Sequence, residues 1–571
     1  MKRNRIGFAV DESPAFHATL VLALTHVLLI FDGIIFIPNV LGKSAGISGD
    51  ALHFITFGTL VVSAVFTFLQ SRTRLGIGSG YILFTGSYSA FLLCSIDAVG
   101  MGGLALMATM TLLTVPIIFL YTFFIRFFRH IITPAVGGVV ILLVAVSLVH
   151  IGLDLWVGPK GLDWAETGVR LTAGAVTVLS LTMLMLFGTP RIRLWSPIIA
   201  MACGYATALV TGQLHFDHTV RAPWFGLPPL AAWPGIDFNL SGAHLPLFFA
   251  FAMAMMASAI ENTGNIMLVQ QVSQRQFRRV SYDQVQGGLY CDGLSKVAAA
   301  LLGTAVPSTY CDNLPLIETT GVASRKIGIY GATILLALAF LPKVSGVVLD
   351  MPGPVIGGFL IVMAAMLFNA GFSLVATTRL SNQHGLILGL SLAVGLVAET
   401  GSFFPAIIPE SLGPLLENSI AIGGFTAFAL SSLAQLAPKP SITGVFRATT
   451  AELPAMQALL EGGKKRLRLD RDRFNVLSLC CEEVFCHMVG GNREDKDRSL
   501  TLRVSKTEEG YFTEMVCGHK MDDINNFVVP ESFFQATPEE LDQLGLILFS
   551  KFAHDVKHIE ISGYSYISFL V

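Results

Sequence analysis

The sequence predicts a membrane-embedded all-α domain of about fourteen transmembrane segments, arranged as two inverted halves of seven, followed by a soluble α+β domain. Three observations predict it. Of the 571 residues, 53% are hydrophobic and only 13% are charged, about half the ~25% charge of soluble domains. The charge is unevenly placed: residues 440–571 hold 35 of the 76 formal charges, 15 Lys/Arg and 20 Asp/Glu. Apolar segments of spanning length recur throughout the first 439 residues. Most of the chain therefore sits in lipid, while the tail is long enough to bury its own core. A net charge of −2 supplies no basic field to draw in phosphates, which excludes a general nucleic-acid binder. There is no complete Gly-x-x-x-x-Gly-Lys-Ser/Thr phosphate loop, since Gly42-Lys43-Ser44 has Ile37 in place of the first Gly, so ATP-driven transport by this chain alone is not expected.

The chain opens Met-Lys-Arg-Asn-Arg, then runs apolar from about Phe16 with no small-residue cleavage site. That pattern fits a retained first span rather than a signal peptide. Apolar segments follow near 15–41, 51–69, 79–97, 101–125, 131–152, 168–188, 194–212, 244–272, 284–304, 306–321, 327–347, 354–373, 383–400 and 419–437. Arg72/Arg74, Arg126/Arg129, Arg191/Arg193, Arg275/Arg278/Arg279, Arg325/Lys326 and Arg379 each follow an even-numbered segment. The loop between the seventh and eighth is long, rich in Trp and Pro, and nearly free of Lys and Arg. By the positive-inside rule both termini and the tail are cytoplasmic, at the plasma (inner) membrane. The eight cysteines, Cys94, Cys203, Cys291, Cys311, Cys480, Cys481, Cys486 and Cys517, show no zinc spacing. Those in the tail read as reduced thiols.

Seven plus seven makes the halves inverted, and the third and tenth segments share an oddity. Gly78–Ser89 (GSGYILFTGSYS) and Pro307–Gly321 (PSTYCDNLPLIETTG) are too polar and too broken by Gly and Pro for continuous helices. Paired discontinuous segments at matching positions of two halves point to a midplane substrate site. Asp32, Glu261, Asp292, Asp312 and Glu318 all fall inside segments. A central Asp costs roughly 2.5–3.5 kcal/mol on translocon scales, so each needs a partner or a purpose. For Asp292 a helix–helix tie and a proton-exchange role both stay open. Glu261 and Asp312 stand in small, polar surroundings, where a pair of acids in low dielectric can exchange a proton near neutral pH. Carboxylates accept ring N–H groups and Asn313 offers donor and acceptor, which suits a planar heterocycle. His26 reads either as a site contact or as a core histidine.

These residues carry a resemblance. Asn313 followed by Thr320-Gly-Val-Ala-Ser-Arg325 resembles the signature of the nucleobase–ascorbate transporters, Gln/Glu-Asn-x-Gly and then Thr-Gly-Val-x-Ser-Arg. Glu261-Asn-Thr-Gly264 is similar to the family's eighth-span Glu-x-x-Gly. Asp292-Gly293 is similar to its ninth-span Asp-Gly, and Thr25-His26 to its first-span Gln-His. The resemblance spans about residues 10–437. It implies a core domain (spans 1–4 and 8–11), a gate domain (spans 5–7 and 12–14), a homodimer, and proton symport of xanthine, urate, another purine or uracil. By position it implies that Glu261, Asp312 and Asn313 bind the base, with Tyr310, Phe84 and Ser87 lining the pocket. His26, Asp32, Glu261, Asp292 and Glu318 are the candidates for proton coupling; no cofactor or metal is implied. This chain departs from the pattern at Asp312, one methylene shorter than the family's acid or amide, and at Pro315, which replaces a Gly and removes an N–H. A sulfate-permease-type anion transporter or channel, which shares the plan, and a nucleobase-sensing transceptor are the other readings.

The tail is expected to hold helices near 452–462, 472–489 and 538–554 and strands at 499–505, 511–517, 558–562 and 565–570. It resembles the histidine-kinase-like ATPase fold of anti-sigma-factor serine kinases. Glu482-Glu-Val-Phe-Cys-His487 is similar to Glu-Glu-x-x-x-Asn, and Leu544-Gly-Leu546 to the Gly-Leu-Gly lid. His487 replaces the magnesium-binding Asn, and Cys517-Gly-His-Lys-Met-Asp-Asp523 replaces Asp-x-Gly-x-Gly. The expectation is a regulatory module with a cytosolic partner or a bound nucleotide, without kinase activity.

Overall fold

A computed structural model describes residues 6–47, 49–73, 76–125, 134–158, 164–214, 216–275, 280–310, 313–376, 382–399, 419–436, 440–489, 498–506, 510–518, 544–561 and 564–571. The chain divides into two units, residues 1–275 with 284–434, and residues 276–283 with 435–571.

In the first unit, α1 (Phe16–Ser44) and α2 (Gly49–Gln70) are followed by a buried strand, β1 (Phe84–Ser87), and by α3 (Leu92–Phe123). α3 holds the third and fourth segments in one run, broken at Gly102–Gly103, where Gly103 adopts φ +72°. Only a residue without Cβ takes that angle cheaply, which is why two segments meet there. Next come α4 (Pro134–Val157), α5 (Trp164–Phe187), α6 (Pro190–Val210), the short α7 (Asp217–Arg221) and α8 (Leu245–Val272). After them follow α9 (Tyr282–Leu302), β3 (Pro307–Tyr310), α10 (Leu314–Thr320), α11 (Arg325–Ala339), α12 (Pro342–Leu349), α13 (Gly353–Ala376), α14 (Asn382–Glu399) and α15 (Ser419–Leu436).

Among the described residues seven helices are long and apolar enough to cross a membrane, and three shorter ones are apolar. The eleventh segment, expected as one span over 327–347, is instead α11 and α12, bent by 81°. Pro342 starts α12; proline has no N–H and forces the residue before it out of helix, so the bend falls there. The ninth segment, α9, carries Asp283, Asp292 and Lys296, which lower its hydropathy.

The tenth segment is the strand–helix pair β3–α10, and the third begins with β1. The two strands pair antiparallel, Phe84 opposite Tyr310, Thr85 opposite Thr309, Gly86 opposite Ser308 and Ser87 opposite Pro307. Non-helical backbone survives at membrane depth only when enclosed by protein or facing a polar cavity, and seven of these eight residues are buried. Elsewhere, α4 and α13 lie close because small residues face each other. A Cβ on Gly357 would stand 2.3 Å from the Gly152 carbonyl oxygen, and one on Gly138 2.9 Å from that of Gly371. Backbone approach through small residues is how helices associate where lipid removes the hydrophobic drive.

The second unit is α+β. Its six strands run in the order β2-β7-β8-β6-β5-β4, from β2 (Val280–Ser281), β4 (Ser441–Arg447), β5 (Ser499–Lys506), β6 (Tyr511–Cys517), β7 (His554–Ile561) and β8 (Tyr564–Leu570). β2 pairs parallel with β7 and the other pairs are antiparallel. α16 (Leu453–Leu467), α17 (Arg471–Val489) and α18 (Leu544–Phe552) join a core of Leu477, Cys481, Phe485, Leu502, Met515, Phe549 and Ile567. Strict alternation of burial along β6 is why that strand is legible in sequence. The helix expected to reach 554 ends at Phe552, because β7 begins at His554, opposite Leu570. β4 escaped the pattern because Gly444 stands at its centre, where a Cβ would meet Leu459 at 2.5 Å.

Candidate functional site

The crossing of β1 and β3 is held from several sides. The Thr67 hydroxyl of α2 accepts from the Thr85 N–H at 3.0 Å. The Ser87 hydroxyl turns to the carbonyls of Gly33 and Ile34 on α1, at 3.0 and 2.8 Å. Tyr310 donates its hydroxyl to the Ser87 carbonyl. Its ring lies where a Cβ on Gly86 would come within 2.7 Å of it, and one on Gly33 within 3.3 Å of its hydroxyl. Two glycines therefore make room for one tyrosine. Phe84 is fully buried and stacks on the His26 ring, centroids 5.8 Å apart and planes 15° apart. Both His26 nitrogens are buried with no hydrogen-bond partner among the described residues, so His26 supports the strand by packing.

α8 lies against the crossing. Ser258 bonds Ser308 at 3.0 Å, Ser308 donates to Asn262 Oδ1 at 3.2 Å, and Asn265 donates to the Thr309 carbonyl at 3.2 Å. Positions 258, 262 and 265 recur at helical spacing on one face, and that face grips β3. Glu261 is half-buried beside them. The Tyr88 hydroxyl donates to Glu261 Oε2, and Tyr88 is itself tied to the strand segment by its N–H to the Val306 carbonyl at 2.9 Å. A carboxylate is thus presented at the end of two buried strands, with a phenol fixing its orientation.

The other candidates fall differently. Asn313 is buried, donates to the Ile82 carbonyl at 3.3 Å, and keeps its Oδ1 without a partner among the described residues. Asp312 and the side chain of Asp32 lie outside the described residues. Glu318, expected within a span, is exposed on α10 and does not share the enclosure of Glu261. Asp292 is fully buried and paired with Lys296, one turn later on α9, at 2.5 Å. The sequence reading missed Lys296. The signal was the spacing of four in Asp-Gly-Leu-Ser-Lys, which places the two groups on one helix face. It also missed Tyr88, hidden in a polar Gly-Ser-Tyr-Ser tract, and the hydroxyl and amide ladder of α8.

The second half of the signature stretch builds something other than the pocket. Gly321 ends α10 in the left-handed region, φ +67°. Its carbonyl accepts from the Gly7 N–H at 2.8 Å, while the N–H groups of Ala323 and Arg325 donate to Phe8 and Val10 at 2.9 and 3.0 Å. Arg275 donates to the Ile6 and Gly7 carbonyls at 3.1 and 2.7 Å and pairs with Glu12 at 2.5 Å. Arg325 pairs with Asp11. The N-terminal residues 6–12 are thereby laced along 321–325. The Ala9 N–H and then Arg275 hold the Glu12 carboxyl below the usual range.

In the tail, Glu482 accepts from Gln457 at 3.3 Å, and residues 519–543, which carry most of the altered loop, lie outside the described residues.

Comparison with known proteins identifies the family. The chain is similar to xanthine permease XanQ of Escherichia coli (strain K12), 27% identical over 437 residues, covering 74% of this chain and 92% of that one. It is similar to xanthine permease XanP of the same strain, 29% over 445 residues, covering 75% and 95%. Uric acid permease PucJ of Bacillus subtilis (strain 168) is 25% identical over 448 residues, covering 77% and 96%. Among solved structures, the transmembrane domain of a cyanobacterium bicarbonate transporter, BicA, aligns with TM-score 0.49 at 12% identity, over 74% of this chain and 99% of that one. Residues 17–402, more than half of the chain, match the family model Xan_ur_permease, a permease family. The protein is a membrane transporter of the xanthine–uracil permease family, the nucleobase–ascorbate transporters.

Proposed function

We propose that the chain is a proton-coupled symporter that carries a nucleobase, xanthine, urate, another purine or uracil, across the plasma membrane. The observation that carries this is the placement of Glu261 at the β1–β3 crossing under the Tyr88 hydroxyl. A carboxylate accepts ring N–H groups, and the open Asn313 Oδ1 supplies a further acceptor. Asp312, next in sequence to Asn313, completes the reading as the second acid. A protonated Glu261 still accepts a base N–H at one oxygen while its own O–H donates to the base, so occupancy by one raises affinity for the other. That linkage is what symport requires.

Of the coupling candidates, Glu261 faces the strand crossing. His26 acts through its stack on Phe84, and Asp32 and Glu318 are left as relay acids. The reading assigns α1–α3 and α8–α12 to a core around the strands and α4–α6 and α13–α15 to a gate, within a homodimer whose termini face the cytoplasm. The tail regulates transport through a cytosolic partner or a bound nucleotide.

The test is a thermal-shift screen of the purified full chain with xanthine, urate, guanine, uracil and ATP, repeated on Glu261→Gln. The parent should be stabilised by at least one base and the variant by none, with any ATP response unchanged. Equal base responses in both proteins would overturn the assignment of Glu261.

A further inference from the structure

α9 carries a second ionised group that base binding does not use. Lys296 is fully buried and its ammonium lies 2.5 Å from Asp292 Oδ2, whose side chain is also fully buried. Withdrawing two charges from water is costly, and apolar residues of similar volume commonly stabilise a buried position as well or better. A pair retained at that depth calls for a purpose.

The surroundings indicate one. The charged and titratable groups acting on Lys296 are Asp292 and Cys291 from its own helix and Glu261 from α8. Asn262, the residue after Glu261, stands next to Asp292 with its side-chain amide turned to that carboxylate; its Nδ2 and Asp292 Oδ1 are buried, and neither has a closer partner among the described residues. Asn262 also accepts from Ser308 of β3. The ion pair is therefore within electrostatic reach of Glu261 and is joined to α8 through Asn262, the next residue.

Charge accounting follows. Glu261, Asp292 and Lys296 together carry one net negative charge when all are ionised, and a single proton neutralises them. Without Lys296 the same pocket would hold two carboxylates, and a buried carboxyl with no counter-charge takes up a proton. We propose that Lys296 is a resident counter-cation that withdraws Asp292 from proton exchange, leaving Glu261 as the carboxylate that gains and loses the transported proton. The proton enters from one aqueous side, binds a Glu261 oxygen and leaves to the other side, while Lys296 keeps its three protons throughout. Lys296 is in this sense a positioning residue acting through Asp292.

The inference rests on the symport reading for its meaning, and the experiment separates the two. Infrared difference spectra of the full chain in lipid, with no substrate, report protonated carboxyl groups as pH falls. Above the bands of the other carboxyl groups, the parent should show a carboxylic-acid band that is lost in Glu261→Gln and retained in the double variant Asp292→Asn/Lys296→Met. Lys296→Met alone should gain a second band that the double variant lacks, and Lys296→Arg should look like the parent. In proteoliposomes, accumulation by Lys296→Met should fall by about tenfold or more, the consequence of an unpaired buried acid, with partial recovery in Lys296→Arg. A band that follows Asp292 rather than Glu261, or no added band in Lys296→Met, would overturn the role of Lys296. A parent that accumulates no base overturns the symport reading while the infrared result still decides Lys296.

Discussion

Tyr88 and Glu261 show how the site is made at the scale of single residues. Glu261 could be found in sequence because an acid inside an apolar run is costly and therefore conspicuous. Tyr88 could not, since a hydroxyl gains a role only when folding brings it to a partner 173 positions away. The same holds for Asn262 and Ser308, whose bond joins two elements that the sequence keeps apart. Lys296 was legible in principle, four residues from Asp292. Tyr88→Phe keeps the ring and removes the donor. A hydrogen bond to a charged group contributes about 1.5–3 kcal/mol, so base affinity should weaken by roughly tenfold to a hundredfold. Melting temperature without base should fall by a few degrees at most, because the same bond is present in the free protein. Isothermal titration of the variant checks this, and an unchanged Kd would mean that Tyr88 does not orient Glu261.

Among elements, period was the reliable signal and proximity the invisible one. The long apolar helices, β6 and β8 declared themselves by pattern, and the broken third and tenth segments by their Gly, Pro and polar content. Their antiparallel pairing was not readable, because register depends on partners far apart in sequence. Nor was the contact of α4 with α13, where Gly152 and Gly357 meet. Gly357→Leu must push those helices apart. Overpacking costs typically about 1–3 kcal/mol, so the variant should melt lower in detergent while Gly385→Leu, at a position with open space, should not. In the tail, burial and then neighbouring Glu482 push the Glu483 carboxyl up. A raised group contributes stability below the ordinary carboxylate range and loses it as pH rises through its folded value. Glu483→Gln should therefore raise the urea midpoint of the tail near neutral pH and leave it unchanged in acid. A variant that is less stable near neutral pH would show that the ionised carboxylate is favoured there instead.

At the scale of the whole molecule, the uneven charge of the sequence corresponds to two units with separate cores. The boundary was expected at 439/440 and is found at 434/435, and one feature crosses it in sequence. Residues 276–283 belong with the tail, where β2 pairs with β7. No composition argument could have revealed that, because the segment lies between two apolar helices. The site residues Glu261, Tyr88, Asn313 and both broken strands all lie in the first unit, and the matched family region ends at residue 402. Base binding should then be independent of the tail. Deleting residues 435–571 should preserve the thermal shift given by a base and keep its Kd within about twofold, since groups with no shared partner are additive within about 0.5 kcal/mol. The uptake rate is free to change, because the 276–283 segment links α8, which carries Glu261, to α9, which carries Asp292 and Lys296. Loss of base binding in a monodisperse truncated protein would mean that the tail takes part in the site, and the division of labour between the two units would have to be abandoned.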